Sequence, residues 1–460
     1  MWDRRTGDCQ YRAGQPVARN VELAGCMKGF VIAAPHSGAG KTMITLGLLR
    51  AFRNRGVAVT SAKSGPDYID PQFHKVASGA ACVNLDAWAM PPNRLQGLAA
   101  AQDGELLVVE GAMGLFDGAP SDDPMGRGSV ADLAEALNLP VVLVLDAARQ
   151  SQTAAAVVHG LASLRPSVKI AGVILNQIGS PRHGAMISRA ITTLDIPVLG
   201  IIPRTEVMKM PSRHLGLVQA EEHADLEAFI HKVTDLMSTN VDLERLLDLA
   251  APVYDAKRVA GLPPLGARIS VARDTAFAFA YPHLLDDWRL AGVEVSFFSP
   301  LNDEGPTVDA DAIFLPGGYP ELYAGHLAQN SGFLAGMTMA KDRGALIYGE
   351  CGGYMTLGES LTDSDGVEHR MLGFLPVRTS FAVRKLHLGY RRLTPVCDLP
   401  WAGSLNGHEF HYASVVEESS QGRLFGAQDS LGENLGGMGH VRGNVCGSFA
   451  HVIGGADGPV

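Results

Sequence analysis

Six short runs of aliphatic residues in the first half of the chain, interspersed with stretches of helical spacing, constrain the fold more than any other feature. The runs are Phe30–Ala34, Val57–Ala62, Leu106–Glu110, Val141–Asp146, Ile170–Asn176 and Val198–Ile202, and they hardly alternate between apolar and polar residues. A strand with one face in water alternates with a period of two, whereas a strand buried on both faces does not. Thr42–Arg53, Ser129–Leu137, Ser151–Leu164 and His183–Leu194 read as helices. Repeated strand–helix–strand units imply a parallel sheet covered on both faces.

The pattern changes around Asp242–Ala267. Leu243–Ala250 completes a helix, and Pro252, Gly261, Pro263, Pro264 and Gly266 then cluster as a boundary. A second α/β pattern begins at Ile269–Ala272 and continues through Glu294–Phe298, Ala312–Leu315 and Ala345–Tyr348, becoming β-rich after about residue 386. The expected organisation is an extension over 1–28, a first α/β domain over 29–250, a linker over 251–267 and a second α/β domain over 268–455. Hydrophobic residues make up 46% of the chain, enough for an ordinary core in each domain.

The formal charge is −10 and no Lys/Arg run offsets it, so the sequence points away from a nucleic-acid partner. Six scattered cysteines form no CxxC pair, which fits a reducing compartment and free thiols. No segment approaches the ~20 apolar residues that span a bilayer. The first residues, Met1-Trp2-Asp3-Arg4-Arg5, carry no apolar core of signal-peptide type. The expectation is a cytoplasmic protein with no membrane partner.

Ala34-Pro35-His36-Ser37-Gly38-Ala39-Gly40-Lys41-Thr42 joins the first strand to the first helix. Backbone N–H groups of Ser37, Gly38, Ala39 and Gly40 can curl around phosphate oxygens, and the helix N-terminus favours an anion. Lys41 would reach the terminal phosphates of ATP and the Thr42 hydroxyl would meet Mg²⁺. Pro35 stands where the GxxxxGK[ST] pattern has its first glycine. Asp67 and Asp70 follow the second of the six runs, Glu110 ends the third and Asp117 follows it. Ligands of an open parallel sheet sit beyond the carboxyl ends of its strands, so these carboxylates are expected to share a rim with the phosphate loop. Hard oxygens there suit Mg²⁺. Either Asp alone would serve equally well as a turn or helix cap.

Ile347-Tyr348-Gly349-Glu350-Cys351-Gly352-Gly353-Tyr354-Met355 reads as strand, sharp turn and helix, with glycines beside a reactive thiol. A cysteine nucleophile needs a base, and His451, His408 and His411 are the candidates. Pro316-Gly317-Gly318-Tyr319-Pro320 follows a strand, and its amides could face a tetrahedral intermediate.

The stretches 349–355, 316–321 and 448–451 resemble the class I glutamine amidotransferase motifs of cobyrinic- and cobyric-acid enzymes. The first half resembles the dethiobiotin-synthetase-like P-loop fold. With Lys63–Pro71, Glu110–Gly114 and Ser212–Leu217, the whole is similar to the cobyrinic and hydrogenobyrinic acid a,c-diamide synthase family over about residues 29–455. The resemblance implies a ligase that takes ATP, L-glutamine and a corrinoid polycarboxylate, works with Mg²⁺, and allows a homodimer. It implies Cys351 as nucleophile and His451 as base, with Gly317, Gly318 and Gly352 around the oxyanion. Thr42, Asp67 and Glu110 are implied for metal, and Asp67, Tyr68, Asp70 and Asp117 for substrate activation. Asn176 falls where the related fold reads adenine. Class I amidotransferases usually carry Glu two residues after the His; Ile453 occupies that place, so no third member of a triad is visible. Cobyric acid synthase, and a P-loop ATPase carrying a degenerate cysteine domain, are the competing readings.

Overall fold

The computed structural model describes residues 27–122, 126–208, 212–213, 216–217, 219–220 and 225–456. The expected extension 1–28 lies outside them except for its last two residues, and so do His214 and Leu215 of the Ser212–Leu217 motif. The first sheet contains β1 (Lys28–Ala33), β2 (Val59–Ser64), β3 (Cys82–Leu85), β4 (Leu106–Glu110), β5 (Val141–Asp146), β6 (Ile170–Ile178) and β7 (Val198–Pro203). Their spatial order is β3-β2-β4-β1-β5-β6-β7, all parallel.

The six expected strands form with ends within two residues of the sequence boundaries. Their lack of alternation has a direct cause. Val31, Val109, Leu143 and Val173 bury into one apolar layer, while Phe30, Ile32, Val108 and Val142 bury into the other. In the first half the sequence reading missed β3 and three helices, Asp70–Ser78, Pro92–Ala100 and Leu226–Asn240; α1 spans Lys41–Asn54 and α2 is the Asp70–Ser78 helix.

The second sheet has ten strands. Glu294–Phe298, Arg268–Ala272, Ala312–Leu315, Leu346–Glu350 and Val445–Ser448 lie side by side in that order and are parallel. Antiparallel strands then continue the sheet to His451–Gly455 at its edge, paired with Leu405–His411. Adjacent parallel strands thus carry Gly317–Gly318, Cys351 and the chain leading to His451 out at one rim.

The two halves are packed against one another. Arg94 pairs with Asp287, Trp88 stacks on Tyr390 at 4.3 Å, and Asn406 donates to the Ala89 carbonyl at 3.2 Å. The stretch 251–267 is not a free linker. Ala251–Pro252 pairs antiparallel with β1, and the Pro263 carbonyl accepts from the Trp401 indole at 2.8 Å. The first sheet therefore extends past residue 250. Among the described residues no helix is long and apolar enough to cross a membrane.

Candidate active sites

The phosphate loop opens α1 without a side-chain cap: Gly40 is the N-cap, at φ 99°, ψ 18°. With no acidic residue in the first turn, the helix start favours an anion. Ser37 and Gly38 are exposed, whereas Ala39 is buried beneath the loop. Lys41 lies across the loop and donates to the Met113 carbonyl at 2.5 Å. Burial, joined by the Lys63 charge, lowers its pKa to about 8, against the pull of Glu110, Asp70 and Asp117. A phosphate arriving here would supply the negative charge that the ammonium lacks.

Beside the loop lies a dense polar cluster. Thr42 Oγ1 donates to Glu110 Oε1 at 2.7 Å and approaches Asp70 Oδ2 at 3.3 Å. Lys63 Nζ donates to the same two oxygens, at 2.7 Å and 2.5 Å. His74 Nε2 meets Glu110 Oε2 at 2.6 Å, while its Nδ1 lies 3.4 Å from the Cys82 sulfur. Glu110 is wholly buried. Burial would raise its carboxyl, yet Lys63 and His74 outweigh this and hold it well below the ordinary carboxylate range. Burial and the Asp67 charge push Asp70 up to about 7 despite Lys63. The hydroxyl and two carboxylates form a set of hard oxygens that fits Mg²⁺, with the Lys63 ammonium now neutralising it.

Three placements differ from the sequence expectations. Asp67 is engaged by the backbone: its Oδ1 accepts from the N–H groups of Ile69 and Asp70, capping the turn into α2. Asn176 spends its amide on structure, donating to the Ala39 carbonyl at 2.9 Å and accepting from the Gln177 N–H. It braces the phosphate loop so closely that a Cβ on Gly40 would stand 2.4 Å from its nitrogen. Tyr68 points away from the loop into the other half, where its ring stacks on Tyr281 at 4.4 Å and on Phe279 at 5.2 Å and lies 4.8 Å from the His451 ring. The Asp67 cap turns the chain there, and a buried aromatic cluster receives the ring. Asp117 lies beside the loop, bonded to the Gly114 N–H at 2.8 Å. The sequence reading assigned no role to Lys63 or His74. Lys63 stands inside the quoted Lys63–Pro71 segment; His74 gave no signal apart from its place one turn after Asp70.

At the second rim, Cys351 occupies a strained turn with φ 45°, ψ −102°, which a non-glycine residue holds only when its surroundings fix it. Burial raises its thiol well above the ordinary value; the Glu321 charge adds to this and the Gly352 N–H opposes it. Burial also lowers His451 to about 3, with the nearby His408 and His411 adding to the shift. Thiol and imidazole are both neutral at rest. Gly317 lies between them: a Cβ there would stand 2.3 Å from His451 Cε1, 3.0 Å from Nε2 and 3.2 Å from Cys351 Cβ. Any side chain would fill the space a reacting group needs. A Cβ on Gly352 would meet the Gly318 nitrogen at 3.0 Å, so these two glycines adjoin.

The structure separates the three candidate histidines. His408 packs edge-on against Tyr390, and His411 is held by Glu409 at 2.9 Å and stacks on Phe449. His387, Glu409 and His411 bring their ligand atoms within 4.8 Å of one another. However, the two imidazoles are stacked 8° from parallel, and Glu409 Oε2 is bound to Arg391. Metal-ligand lone pairs lie in the ring planes and must converge, which stacked rings oppose.

These two rims define the class: a nucleotide-binding domain fused to a glutamine amidotransferase domain. Residues 30–218 match the CobQ/CobB/MinD/ParA nucleotide binding domain, and residues 268–458 match the CobB/CobQ-like glutamine amidotransferase domain. Three similar proteins carry the name hydrogenobyrinate a,c-diamide synthase. The one from Brucella anthropi is 56% identical over 93% of this chain and 98% of its own length. Those from Rhizobium meliloti and Agrobacterium fabrum are 52% and 48% identical, also over 93% of this chain, and over 99% and 98% of their own lengths. The chain belongs to the hydrogenobyrinate a,c-diamide synthase family.

Proposed function

We propose that this enzyme amidates the a and c side-chain carboxylates of a corrinoid in cobalamin biosynthesis, using ATP and glutamine. The relatives' names favour hydrogenobyrinic acid, the cobalt-free substrate. The observation that carries the reading is the pairing, in one chain, of the Lys41–Thr42–Asp70–Glu110 rim with the Cys351–Gly317–His451 rim.

In this reading, Cys351 passes its thiol proton to His451 and its sulfur attacks the carboxamide carbon of glutamine. The glycine amides around Gly318 and Gly352 face the oxyanion. The C–N bond breaks, His451 protonates the departing ammonia, and water releases glutamate from the thioester. At the other rim a corrinoid carboxylate oxygen attacks the terminal phosphorus of ATP, giving an acyl phosphate and ADP. Ammonia, passed within the molecule, displaces phosphate and leaves an amide. Lys41 and the loop amides hold the phosphates, and Lys63 and Asp117 stand beside the carboxylate to be activated. Thr42, Asp70 and Glu110 would hold Mg²⁺, which supplies charge neutralisation to the transferring phosphoryl group.

The test is incubation with ATP, Mg²⁺, glutamine and either hydrogenobyrinic or cobyrinic acid, followed by mass analysis. Two carboxyl-to-amide conversions per molecule support the reading. Four would assign the chain to cobyric acid synthesis, and ATP turnover with no amide formed would reject it. A cytoplasmic location and a homodimer belong to the same proposal; gel filtration at working concentration checks the second.

A further inference from the structure

The amidotransferase site has a feature that its sequence conceals. The place of the usual acidic partner of the histidine, two residues after it, is taken by Ile453, whose apolar side chain is buried. His451 Nδ1 is buried and makes no hydrogen bond. A buried imidazole with an idle nitrogen has no fixed tautomer, and a base must keep its lone pair toward the proton it takes.

A carboxyl group nevertheless faces that nitrogen, and it comes from an unexpected place. Glu350 Oε2 lies 3.7 Å from His451 Nδ1, with both side chains almost wholly buried. The other oxygen, Oε1, is anchored twice: it accepts from the Val452 N–H at 2.9 Å and from the Tyr348 hydroxyl at 3.0 Å. With Oε1 fixed, Oε2 has little freedom other than to face the ring. Val452 follows His451 directly, so the same carboxyl grips the backbone beside the base and faces the base's ring. Glu350 also precedes Cys351 directly. One side chain thereby sets nucleophile and base relative to each other.

The two ring nitrogens face opposite ways. Nε2 is the nitrogen on the side of Gly317 and Cys351, as the 3.0 Å and 3.2 Å approaches to a Cβ on Gly317 place them. Nδ1 is the nitrogen on the side of Glu350. We infer that Glu350 is the positioning residue of this glutaminase, replacing the acidic residue missing after the histidine by one immediately before the cysteine. This rests on the reading of Cys351 and His451 as nucleophile and base.

The proton inventory agrees with the geometry. A proton on Nδ1 facing Glu350 leaves the Nε2 lone pair toward the thiol. When the thiol proton moves to Nε2, the ring becomes an imidazolium with the Glu350 carboxyl beside it. Burial alone disfavours the imidazolium, and it pushes the Glu350 carboxyl up to about 8 against the Val452 N–H and the Tyr348 hydroxyl; as a carboxylate 3.7 Å away, Glu350 offsets the penalty on the imidazolium. The resting distance is longer than a hydrogen bond, as is common at catalytic sites before substrate closes them. The other groups facing His451 are less suited. Glu409 is held by Arg391 and His411, His408 and His411 would add positive charge if protonated, and Tyr68 presents its ring.

Glu350→Gln is the decisive variant because it keeps the shape. Its carbonyl can still accept from Val452 and Tyr348, but its N–H group would meet Nδ1 and force the ring proton onto Nε2. We expect kcat for glutamine hydrolysis to fall about 100-fold or more, on the scale of general-base catalysis. KM for glutamine should stay within about threefold, because Glu350 does not touch substrate, and ammonia-driven amidation reports that the chain is folded. Glu350→Asp should recover part of the lost kcat, whereas a purely structural role would make Asp, which cannot reach both anchors, no better than Gln. Cys351→Ala separates the two levels. If it retains glutamine-driven amidation, the nucleophile assignment is wrong. If it abolishes that activity while Glu350→Gln keeps wild-type kcat, the nucleophile stands and the Glu350 inference is overturned.

Discussion

The two rims treat buried ionisable groups in opposite ways. Around the phosphate loop the Glu110 charge is already formed and paired, with Lys63 and with His74, and Lys63 also bonds Asp70. Around Cys351 the thiol and imidazole are held neutral by burial. A preorganised set of charges costs no rearrangement when phosphate arrives, whereas a neutral dyad creates charge only during turnover. The difference teaches which half waits. The ATP rim stands ready, and the glutamine rim is quiet until substrate and its neighbours make ionisation favourable. An enzyme that must not release ammonia without an acceptor gains from that order.

The sharpest way to break the comparison is Cys351→Ala. Glutamine-driven amidation should fall to background, a loss on the order of 10⁵-fold or more for a removed nucleophile. Ammonium salts should still support amidation, and their failure in a folded protein would mean that the rims are not separable. Lys41→Ala comes next: amidation from either nitrogen source should drop about 10³-fold. Near-normal turnover at saturating ATP would remove Lys41 from phosphate binding. Glu110→Gln should cost roughly 100-fold in amidation with either source, while glutamine hydrolysis stays within about threefold. Because it breaks a buried ion pair, a stability loss of ~3 kcal/mol should accompany it, measurable by denaturant titration.

Smaller effects test the contact between the halves and the paired charges. Tyr68→Ala removes a ring of the first half that lies against the His451 ring. Glutamine hydrolysed per amide formed should rise roughly 2- to 30-fold, the range of ordinary coupling energies; an unchanged ratio would show that the contact is packing only. The smallest effect concerns His74. Burial opposes its charge, but the Cys82 sulfur and the Glu110 carboxylate outweigh burial and raise it to about 10. A group raised in the folded state gives stability that is complete below its unfolded pKa, ~6.5, and is lost as pH climbs through the raised value. Tm should therefore fall as pH rises between about 7 and 10. In Glu110→Gln that decline should flatten.

What the sequence disclosed follows the physics of each signal. Strands such as Val141–Asp146 were legible because burial on both faces writes an uninterrupted apolar run. β3, Cys82–Leu85, was not, because four residues containing Asn84 carry too little pattern. α2 was hidden by Gly65-Pro66-Asp67, which reads as a turn and is one, with the helix starting immediately after it. Spacing located the carboxylates at strand ends but could not say which way each turned. Asp67 capped a helix, Asp70 joined Thr42, and Tyr68 left for the other half. Glu350 escaped because the search for an acid followed the chain after His451, whereas the partner lies 101 residues earlier, across two adjacent parallel strands.

Tyr68 also bears on how such a protein can be taken apart or recombined. Its ring belongs by sequence to the ATP half and by location to the glutamine half, where it covers Phe279, Tyr281 and His451. A cut at the apparent seam near residues 251–267 would strip that cover and leave an aromatic patch and the base open to water. Chimaeras built from two relatives should therefore succeed when the Gly65–Asp70 loop travels with the amidotransferase it contacts, whatever the origin of the sheet that carries it.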